Sequence, residues 1–176
     1  EKNFIAANNI TGLNQTKFGV VRFGNVWNTN GSVGRIFLAQ INNNKDLTIT
    51  DKNMTRFFIK MQDALDLCRH AMRNLIGGEI FTRSMGAISI GDLAEAFLKN
   101  KPNLTFKIIG RSNGEKLYEE LFTEFEAARS YKENDTYITI PERYNFGSNL
   151  NEQIELKYNN AIKCKYALRS DSPEVE

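Results

Sequence analysis

The sequence predicts an α/β fold, because short apolar segments typical of strands alternate with amphipathic segments typical of helices. Residues 18–23, FGVVRF, are β-branched in their middle and apolar almost throughout, which is typical of a parallel strand covered on both faces. From Asp63 to Leu75 the apolar residues recur at helical spacing, and Gly77 and Gly78 follow as a stop. The two periodicities together predict helices packed on a sheet.

Local patterns predict the other elements in chain order. Residues 1–9 resemble the last turns of a helix that starts without an N-cap residue, so we expect further sequence upstream. Ser89 and Asp92 form a capping-box pattern at the start of another helix. Strands are predicted at residues 47–50, 106–109 and 137–140, and helices at 33–41, 89–98 and 115–129. The residues after Pro141 lack periodicity and predict an extended or partly mobile tail.

Composition excludes several functional classes. The 23 basic and 21 acidic residues give a net charge of +2, too small to attract a nucleic acid or an anionic membrane. No apolar run approaches the roughly 20 residues that cross a bilayer. Cys68 and Cys164 fit neither a disulfide framework nor a zinc site, so we predict no metal and a cytoplasmic protein.

Three short segments carry candidate ligand-binding residues. Asn25 follows a strand, where ligands of open α/β sheets collect, although an asparagine there also suits a turn. Ser32 and Val33 open a helix whose N–H groups suit a carbonyl or phosphate oxygen, or Ser32 is an ordinary N-cap. Arg56 lies between bulky apolar residues and suits either a diphosphate or a structural salt bridge.

A fourth candidate is the glycine-bounded turn GRSNGEK at residues 110–116. Glu115 suits the two vicinal hydroxyls of a ribose, and Arg111 suits a phosphate. The alternative for Glu115 is a favourable charge at the start of a helix. His70 has no acid or nucleophile near it in sequence, which favours a structural role.

Taken in order, these segments resemble one family. The phrases FIAANN, KFGVVRFGNV, GSV, LTITDKNMTRFFI, GGEIF, IIG with GEKLYEEL, and YITIPE are similar to the polysaccharide-biosynthesis branch of the UDP-N-acetylglucosamine 4,6-dehydratases, which are extended short-chain dehydrogenases. A series of motifs in order is more specific than any one of them. The resemblance implies the C-terminal part of an extended Rossmann-type enzyme with a small mixed α/β substrate-binding domain.

The resemblance also implies a domain organisation. Residues 1–41 would be a remnant of the NAD(P)-binding Rossmann domain, 42–141 mainly the nucleotide-sugar domain, and 142–176 a polar tail. The family's glycine-rich turn and Tyr-x-x-x-Lys motif are absent, so no catalytic residue is expected in this chain. The full-length enzyme is expected to supply an N-terminal Rossmann portion and to form a homo-oligomer.

By the same resemblance, the candidate residues acquire roles around a UDP-sugar. Asn25 would contact the nucleotide near its diphosphate, and the Ser32–Val33 backbone would hold the uracil end. Arg56 would clamp the diphosphate, Glu115 would bind the ribose, and Gly24 would border the nicotinamide of NAD(P).

The chain departs from the family pattern at two places. Thr29-Asn30 stands where the family commonly has Ser-Arg, and Ser112-Asn113 where it has Arg-Pro, so the second phosphate arginine is displaced. Arg111 is the candidate to replace it from one position earlier.

The function that the resemblance implies is an inverting 4,6-dehydratase acting on a UDP-N-acetylhexosamine for cell-surface glycan synthesis. A UDP-sugar 4-epimerase and a non-catalytic nucleotide-sugar-binding or assembly piece are the alternatives. We expect the isolated chain to show no turnover. We also expect it to self-associate through the uncovered strand at residues 18–23.

Overall fold

A computed structural model describes residues 1–10, 16–142 and 150–172. The chain divides into two compact units that are built from interleaved segments. The expected ranges 1–41, 42–141 and 142–176 stay a prediction, because the two units describe how the chain packs and not which residues bind NAD(P) or a nucleotide sugar. Unit 1 comprises Glu1–Phe23, Gln62–Ser84 and Leu121–Leu168, and unit 2 comprises Gly24–Met61, Met85–Glu120 and Arg169–Glu176.

The described residues confirm the α/β class, with helices and strands alternating along most of the chain. The helices are α1 (Lys2–Ala7), α2 (Val33–Asn42), α3 (Met61–Asn74), α4 (Ile90–Leu98), α5 (Glu124–Ala127) and α6 (Leu150–Lys157). The strands are β1 (Val20–Arg22), β2 (Asn25–Val26), β3 (Leu47–Ile49), β4 (Thr55–Ile59), β5 (Ile80–Arg83), β6 (Ala87–Ser89), β7 (Phe106–Ile108), β8 (Glu120–Phe122), β9 (Ser130–Glu133), β10 (Thr136–Thr139), β11 (Ile162–Lys163) and β12 (Leu168–Arg169).

Unit 1 is organised around a five-stranded sheet in the order β1-β5-β10-β9-β11. Strand β1 is parallel to β5, while β10 is antiparallel to both β5 and β9. Helix α3 packs Leu67 against Phe81 of β5, and Ile138 of β10 joins the same core. The central strands are the most buried part of the sheet, because they have a neighbour on each side.

The prediction for residues 18–23 is correct in type and wrong in burial. The strand is parallel, as expected, but it is shorter and its three residues are only half-buried. The sheet order gives the reason. Among the described residues, β1 has one strand neighbour and lies at the end of the sheet.

The prediction of an extended tail after Pro141 is wrong for residues 150–172. Ile154 and Tyr158, one helical turn apart, are 0% and 2% exposed and belong to the core of unit 1. The sequence gives little sign of this, because the two buried residues lie on an otherwise polar segment. Residues 143–149 and 173–176 of the expected tail lie outside the described residues.

Unit 2 has its own core between two helices and a short parallel strand pair. Strand β3 pairs with β7, and the three-stranded sheet β2-β4-β6 lies in the same unit. Helix α2 buries Gly34, Phe37 and Ile41, a spacing that places them on one helical face. Helix α4 begins at the predicted cap, where the Ser89 side chain accepts the Asp92 N–H. The core cluster contains Phe37, Ile41, Leu47, Ile49, Met54, Ile90, Leu93 and Ala94.

The helix predicted for residues 115–129 does not exist. The chain forms a loop through Gly114, then β8, and then the one-turn helix α5. Thr123 and Glu126 form a complete capping box, which starts α5 and ends the preceding strand. Leu117 and Phe125, which one helix over this range would place on the same side, are 40% and 71% exposed.

Three observations concern absences in the described residues. None of their helices has both the length and the apolarity needed to traverse a bilayer. No group of three or more His, Cys, Asp or Glu side chains is arranged there to hold a metal ion. Cys68 and Cys164 are both free thiols.

Candidate functional site

Unit 2 contains a cavity of about 520 Å³ that brings together five of the six predicted substrate-binding residues. This volume falls in the range of pockets that hold small molecules, roughly 300–1,000 Å³. Apolar side chains, among them Phe37, Ile49 and Phe58, form part of the wall. The five predicted residues in the wall are Asn25, Ser32, Val33, Arg56 and Glu115.

Asn25 reaches the cavity from the first residue of β2. This strand runs parallel to β4, with Asn25 opposite Phe58, so the sheet fixes the position of the amide-bearing residue. The residue is exposed rather than engaged in the core. A side-chain amide at this position can donate to and accept from a polar ligand.

Gly24 does not line the cavity, and packing explains why it is glycine. A Cβ at this position would lie 2.4 Å from Phe57 Cβ and 2.6 Å from the Phe57 carbonyl oxygen. The Gly24 N–H donates to Met85 Sδ at 3.2 Å. Its contact with a nicotinamide ring stays a prediction.

Ser32 occupies the N-cap position of α2 without capping it through its side chain. Its backbone carbonyl accepts the Arg35 and Ile36 N–H groups, but its hydroxyl makes no cap hydrogen bond. The Ser32 Oγ atom is buried and has no hydrogen-bond partner among the described residues. A buried hydroxyl without a partner is costly, so a ligand oxygen or nitrogen at the start of α2 would satisfy it. Val33 follows as the first helical residue in the same wall.

Arg56 borders the cavity, but its guanidinium already holds the backbone of unit 2. Its side chain donates to the carbonyls of Thr55 and Lys116, both at 2.8 Å, and to Leu117 at 3.4 Å. Its Nε atom lies 3.5 Å from a carboxylate oxygen of Glu119. Arg56 is 8% exposed, so these contacts are shielded from bulk water. The structural alternative raised by the sequence is therefore present, and it occurs at a position that also faces the cavity.

Glu115 is held at the cavity by two hydrogen bonds, one to each carboxylate oxygen. The Thr50 hydroxyl donates to Oε1 at 3.3 Å, and the Ser112 N–H donates to Oε2 at 3.2 Å. No helix begins at this residue, so helix-start electrostatics do not account for it. A carboxylate with acceptor capacity left over at a cavity wall can receive ligand hydroxyl groups.

Arg111 is the one predicted substrate-binding residue that the cavity wall does not include. Its half-exposed side chain lies with Nε 3.8 Å from Asp51 Oδ2. The replacement of the displaced family arginine by Arg111 stays a prediction.

Sequence reasoning missed Thr50, which lines the cavity beside Glu115. Residues 47–50, LTIT, carried only a partial signal. Leu47 and Ile49 are buried, whereas Thr48 and Thr50 alternate with them and both line the cavity. Ile49 lines the cavity as well, so the alternation separates buried from half-buried residues and does not by itself single out Thr50.

Comparisons with known sequences agree on one family. A family model described as polysaccharide biosynthesis protein matches residues 1–141. The UDP-N-acetylglucosamine 4,6-dehydratase (inverting) of Campylobacter jejuni is 41% identical over 142 residues, which cover 80% of this chain and 42% of that protein. The UDP-glucose 4-epimerase of Rickettsia bellii is 38% identical over 143 residues, covering 80% of this chain and 41% of the relative. The chain thus spans less than half the length of these two relatives.

A comparison with solved structures extends the agreement to the fold. The X-ray structure of Pen from Bacillus thuringiensis matches with a TM-score of 0.82 and 31% sequence identity, over 99% of this chain and 51% of that chain. These matches confirm the resemblance that the ordered motifs indicated.

Proposed function

Because the chain belongs to the polysaccharide biosynthesis protein family, we propose that the cavity of unit 2 binds a UDP-N-acetylhexosamine. The protein of which this chain is part would convert that substrate to a 4-keto-6-deoxy sugar for cell-surface polysaccharide or glycan synthesis. The observation that carries the proposal is the convergence of Asn25, Ser32, Arg56 and Glu115 on one cavity. The 41% identical Campylobacter jejuni relative, named as an inverting 4,6-dehydratase, supports this reaction over the alternatives.

In this proposal each polar group meets one part of the nucleotide. The Glu115 carboxylate accepts hydrogen bonds from the ribose hydroxyls, and the start of α2 with Ser32 meets the uracil. Asn25 contacts the nucleotide near the diphosphate. Arg56 attracts the diphosphate through the positive charge that the half-exposed Glu119 carboxylate, 3.5 Å from its Nε atom, offsets only in part, while it also braces Lys116 and Leu117.

Hydride chemistry would come from the rest of the protein. NAD(P), the cofactor proposed for the family reaction, supplies a reversible hydride acceptor for sugar C4 and a donor for C6 when bound. Of the residues in this chain, Gly24 alone is proposed to border that cofactor. With neither the glycine-rich turn nor Tyr-x-x-x-Lys in its sequence, we propose that the chain alone binds substrate without turning it over.

Calorimetric titration of the chain with UDP tests the binding part. We expect Glu115→Gln to weaken UDP binding by about 10- to 100-fold, because it removes a charge-assisted hydrogen-bond acceptor. Glu95→Gln is the matched control, since Glu95 is exposed on α4 and lies outside the cavity wall. Absence of UDP binding, or equal weakening by both variants, would contradict the proposal. Arg56→Ala is a poorer probe because it also removes the hydrogen bonds to the Thr55 and Lys116 carbonyls.

Incubation of the complete protein with UDP-N-acetylglucosamine tests the reaction. The dehydratase proposal predicts a 4-keto-6-deoxy product, which mass spectrometry detects as the loss of one water. A UDP-sugar 4-epimerase is the second candidate, favoured by the 38% identical Rickettsia bellii relative. Recovery of only the C4 epimer would replace the first reaction with the second.

The remaining proposals concern the whole protein. We propose that it includes an N-terminal Rossmann portion, forms a homo-oligomer and acts in the cytoplasm. The free thiols of Cys68 and Cys164 suit a reducing compartment.

A further inference from the structure

Thr50 connects the rigid core of unit 2 to the carboxylate of Glu115. Thr50 directly follows β3, and the last residue of that strand, Ile49, is 2% exposed and belongs to the core cluster. Its hydroxyl lies 3.3 Å from Glu115 Oε1 and 3.5 Å from the Met54 sulfur. A hydroxyl has one proton, and a carboxylate accepts it far better than a thioether does. The Thr50 hydroxyl therefore donates its hydrogen bond to Glu115 rather than to Met54.

The loop backbone next to Glu115 is held by Arg56, which donates to the Lys116 carbonyl at 2.8 Å, and by the Thr55 N–H, which donates to the Leu117 carbonyl at 2.8 Å, but neither contact involves the Glu115 carboxylate. Gly110 and Gly114 bracket the loop with φ values of 84° and 85°, and a Cβ at either position would meet nothing within 4 Å. The second carboxylate contact, from the Ser112 N–H, comes from within the same loop. Thr50 is thus the contact that ties the Glu115 carboxylate to a buried strand of the core.

The contacts from Thr50 and Ser112 leave each oxygen of the Glu115 carboxylate with a free lone pair. Oε1 accepts from Thr50 and Oε2 accepts from Ser112, so each oxygen keeps acceptor capacity for one further donor. Two adjacent hydroxyl groups on a five-membered sugar match such a pair of acceptors. A 2′-deoxyribose offers only one of them.

We propose that Thr50 is a positioning residue that holds Glu115 against both ribose hydroxyls and so makes the cavity prefer a ribonucleoside diphosphate to its 2′-deoxy counterpart. The inference rests on the proposed function and deepens it, because it names the feature that favours ribonucleotide sugars over their 2′-deoxy counterparts. Without the Thr50 hydroxyl, the carboxylate keeps only the contact with the Ser112 N–H and can rotate about its side-chain bonds. The contribution of the 2′-hydroxyl to binding is then lost, while contacts elsewhere on the nucleotide persist.

Calorimetric titration of the chain with UDP and with 2′-deoxy-UDP tests this role in three proteins. Wild type is expected to bind UDP more tightly. Thr50→Val keeps the side-chain shape but removes the hydroxyl, so UDP affinity should fall about 10-fold while 2′-deoxy-UDP affinity changes less than about twofold. Thr50→Ser keeps the hydroxyl and should restore the preference. A general packing defect would instead weaken both nucleotides together.

The outcomes separate this inference from the proposed function. If wild type binds UDP but Thr50→Val keeps the same ratio of the two affinities, the positioning role is overturned and the nucleotide site stands. The role is equally overturned if Thr50→Ser loses the preference as fully as Thr50→Val while remaining folded by circular dichroism. If wild type binds neither nucleotide, both the positioning role and the proposed function fail.

Discussion

At the scale of single residues, some charged side chains donate hydrogen bonds to the backbone and also border a cavity or the solvent. Arg56 shows the pattern in unit 2, where one guanidinium borders the cavity and donates to two neighbouring backbone carbonyls at 2.8 Å. Replacing such a residue removes a ligand contact and a structural contact together. Conservative substitutions that keep the contacts with the fold are therefore the informative ones.

Arg22 has the corresponding role in unit 1. Its guanidinium makes two hydrogen bonds to the Glu126 carboxylate, at 2.9 and 3.0 Å, and also donates to the Leu121 carbonyl at 2.9 Å. Burial acts to raise the pKa of Glu126, but hydrogen bonds from Arg22 and the Thr123 N–H lower it below its ordinary value of 4.5. The ionised carboxylate is thus favoured by the fold.

This pair predicts a loss of stability in acid. A carboxylate whose pKa is lowered in the folded state stabilises the fold above its ordinary pKa, and the contribution disappears as the pH falls through the lowered value. We expect the free energy of unfolding, measured with urea, to fall below about pH 4.5, and the fall to be shallower in Glu126→Gln. Glu124→Gln, two residues away and exposed on α5, should keep the wild-type slope. Equal slopes in all three proteins would show that the ion pair is not the source.

The sequence was enough to select candidate ligand-binding residues, but it did not show which hydrogen bonds their side chains make. Asn25, Ser32 and Glu115 were selected because their chemistry and position suited a ligand, and the structure brings them to one cavity. Thr50 was missed because its role depends on Glu115, a residue 65 positions away. Only the three-dimensional structure shows that these two residues are in contact.

At the scale of elements, two helices start with a serine that is used in opposite ways. Ser89 accepts the Asp92 N–H at 2.9 Å and so caps α4. Ser32 stands at the same position of α2, but its buried hydroxyl makes no side-chain cap bond and it belongs to the cavity wall. The same residue type at the same helix position therefore supports the fold in one case and faces a candidate ligand site in the other.

Alanine substitutions should separate these two uses. Ser89→Ala is expected to lower the free energy of unfolding by about 1 kcal/mol, the usual value of a lost N-cap. Ser32→Ala removes a hydroxyl that caps nothing, so we expect little change in unfolding but weaker binding of UDP. Chemical denaturation and calorimetry on both variants measure the two effects. An equal loss of stability in both would show that Ser32 also caps its helix.

Helices were predicted correctly where the apolar residues repeat with clear helical spacing and a turn residue follows. Residues 33–41 and 63–75 were correctly predicted as helices, because their inward-facing residues repeat with helical spacing and a turn follows. Residues 115–129 failed because leucines and phenylalanines of a loop, a strand and α5 imitate that spacing by coincidence. The Thr123 and Glu126 capping box was the competing signal, since it places a new helix start inside the supposed helix.

At the scale of the whole molecule, the assignment of segments to units was beyond local sequence patterns. Each unit collects distant stretches of chain, and the change from unit 1 to unit 2 after Phe23 falls between two adjacent short strands. Secondary-structure propensity depends on residues that are close along the chain, whereas the two units are defined by contacts between residues far apart in sequence. The alternation of strand-like and helix-like segments predicted the fold class, whereas the division into two units is known only from the structure.

The end of the five-stranded sheet gives unit 1 an interaction-prone edge. Strand β1 pairs with β5 in parallel, and the Val20 N–H donates to the Glu79 carbonyl at 3.0 Å on that side. Because successive residues of a strand point their N–H groups in opposite directions, Val21 directs its own N–H away from β5. Within the described residues no further strand pairs there, so this edge can pair with another chain.

We therefore expect the purified chain to self-associate with increasing concentration, as sedimentation velocity measures directly. Val21→Pro removes the outward N–H of β1 without removing a hydrogen bond to β5, so it should reduce association while the fold persists. Val20→Pro is the matched control, because it removes the donor to the Glu79 carbonyl and should lower the free energy of unfolding instead. A wild-type chain that stays monomeric at every concentration would show that the edge is protected. Unchanged association of folded Val21→Pro would place the contact on another surface.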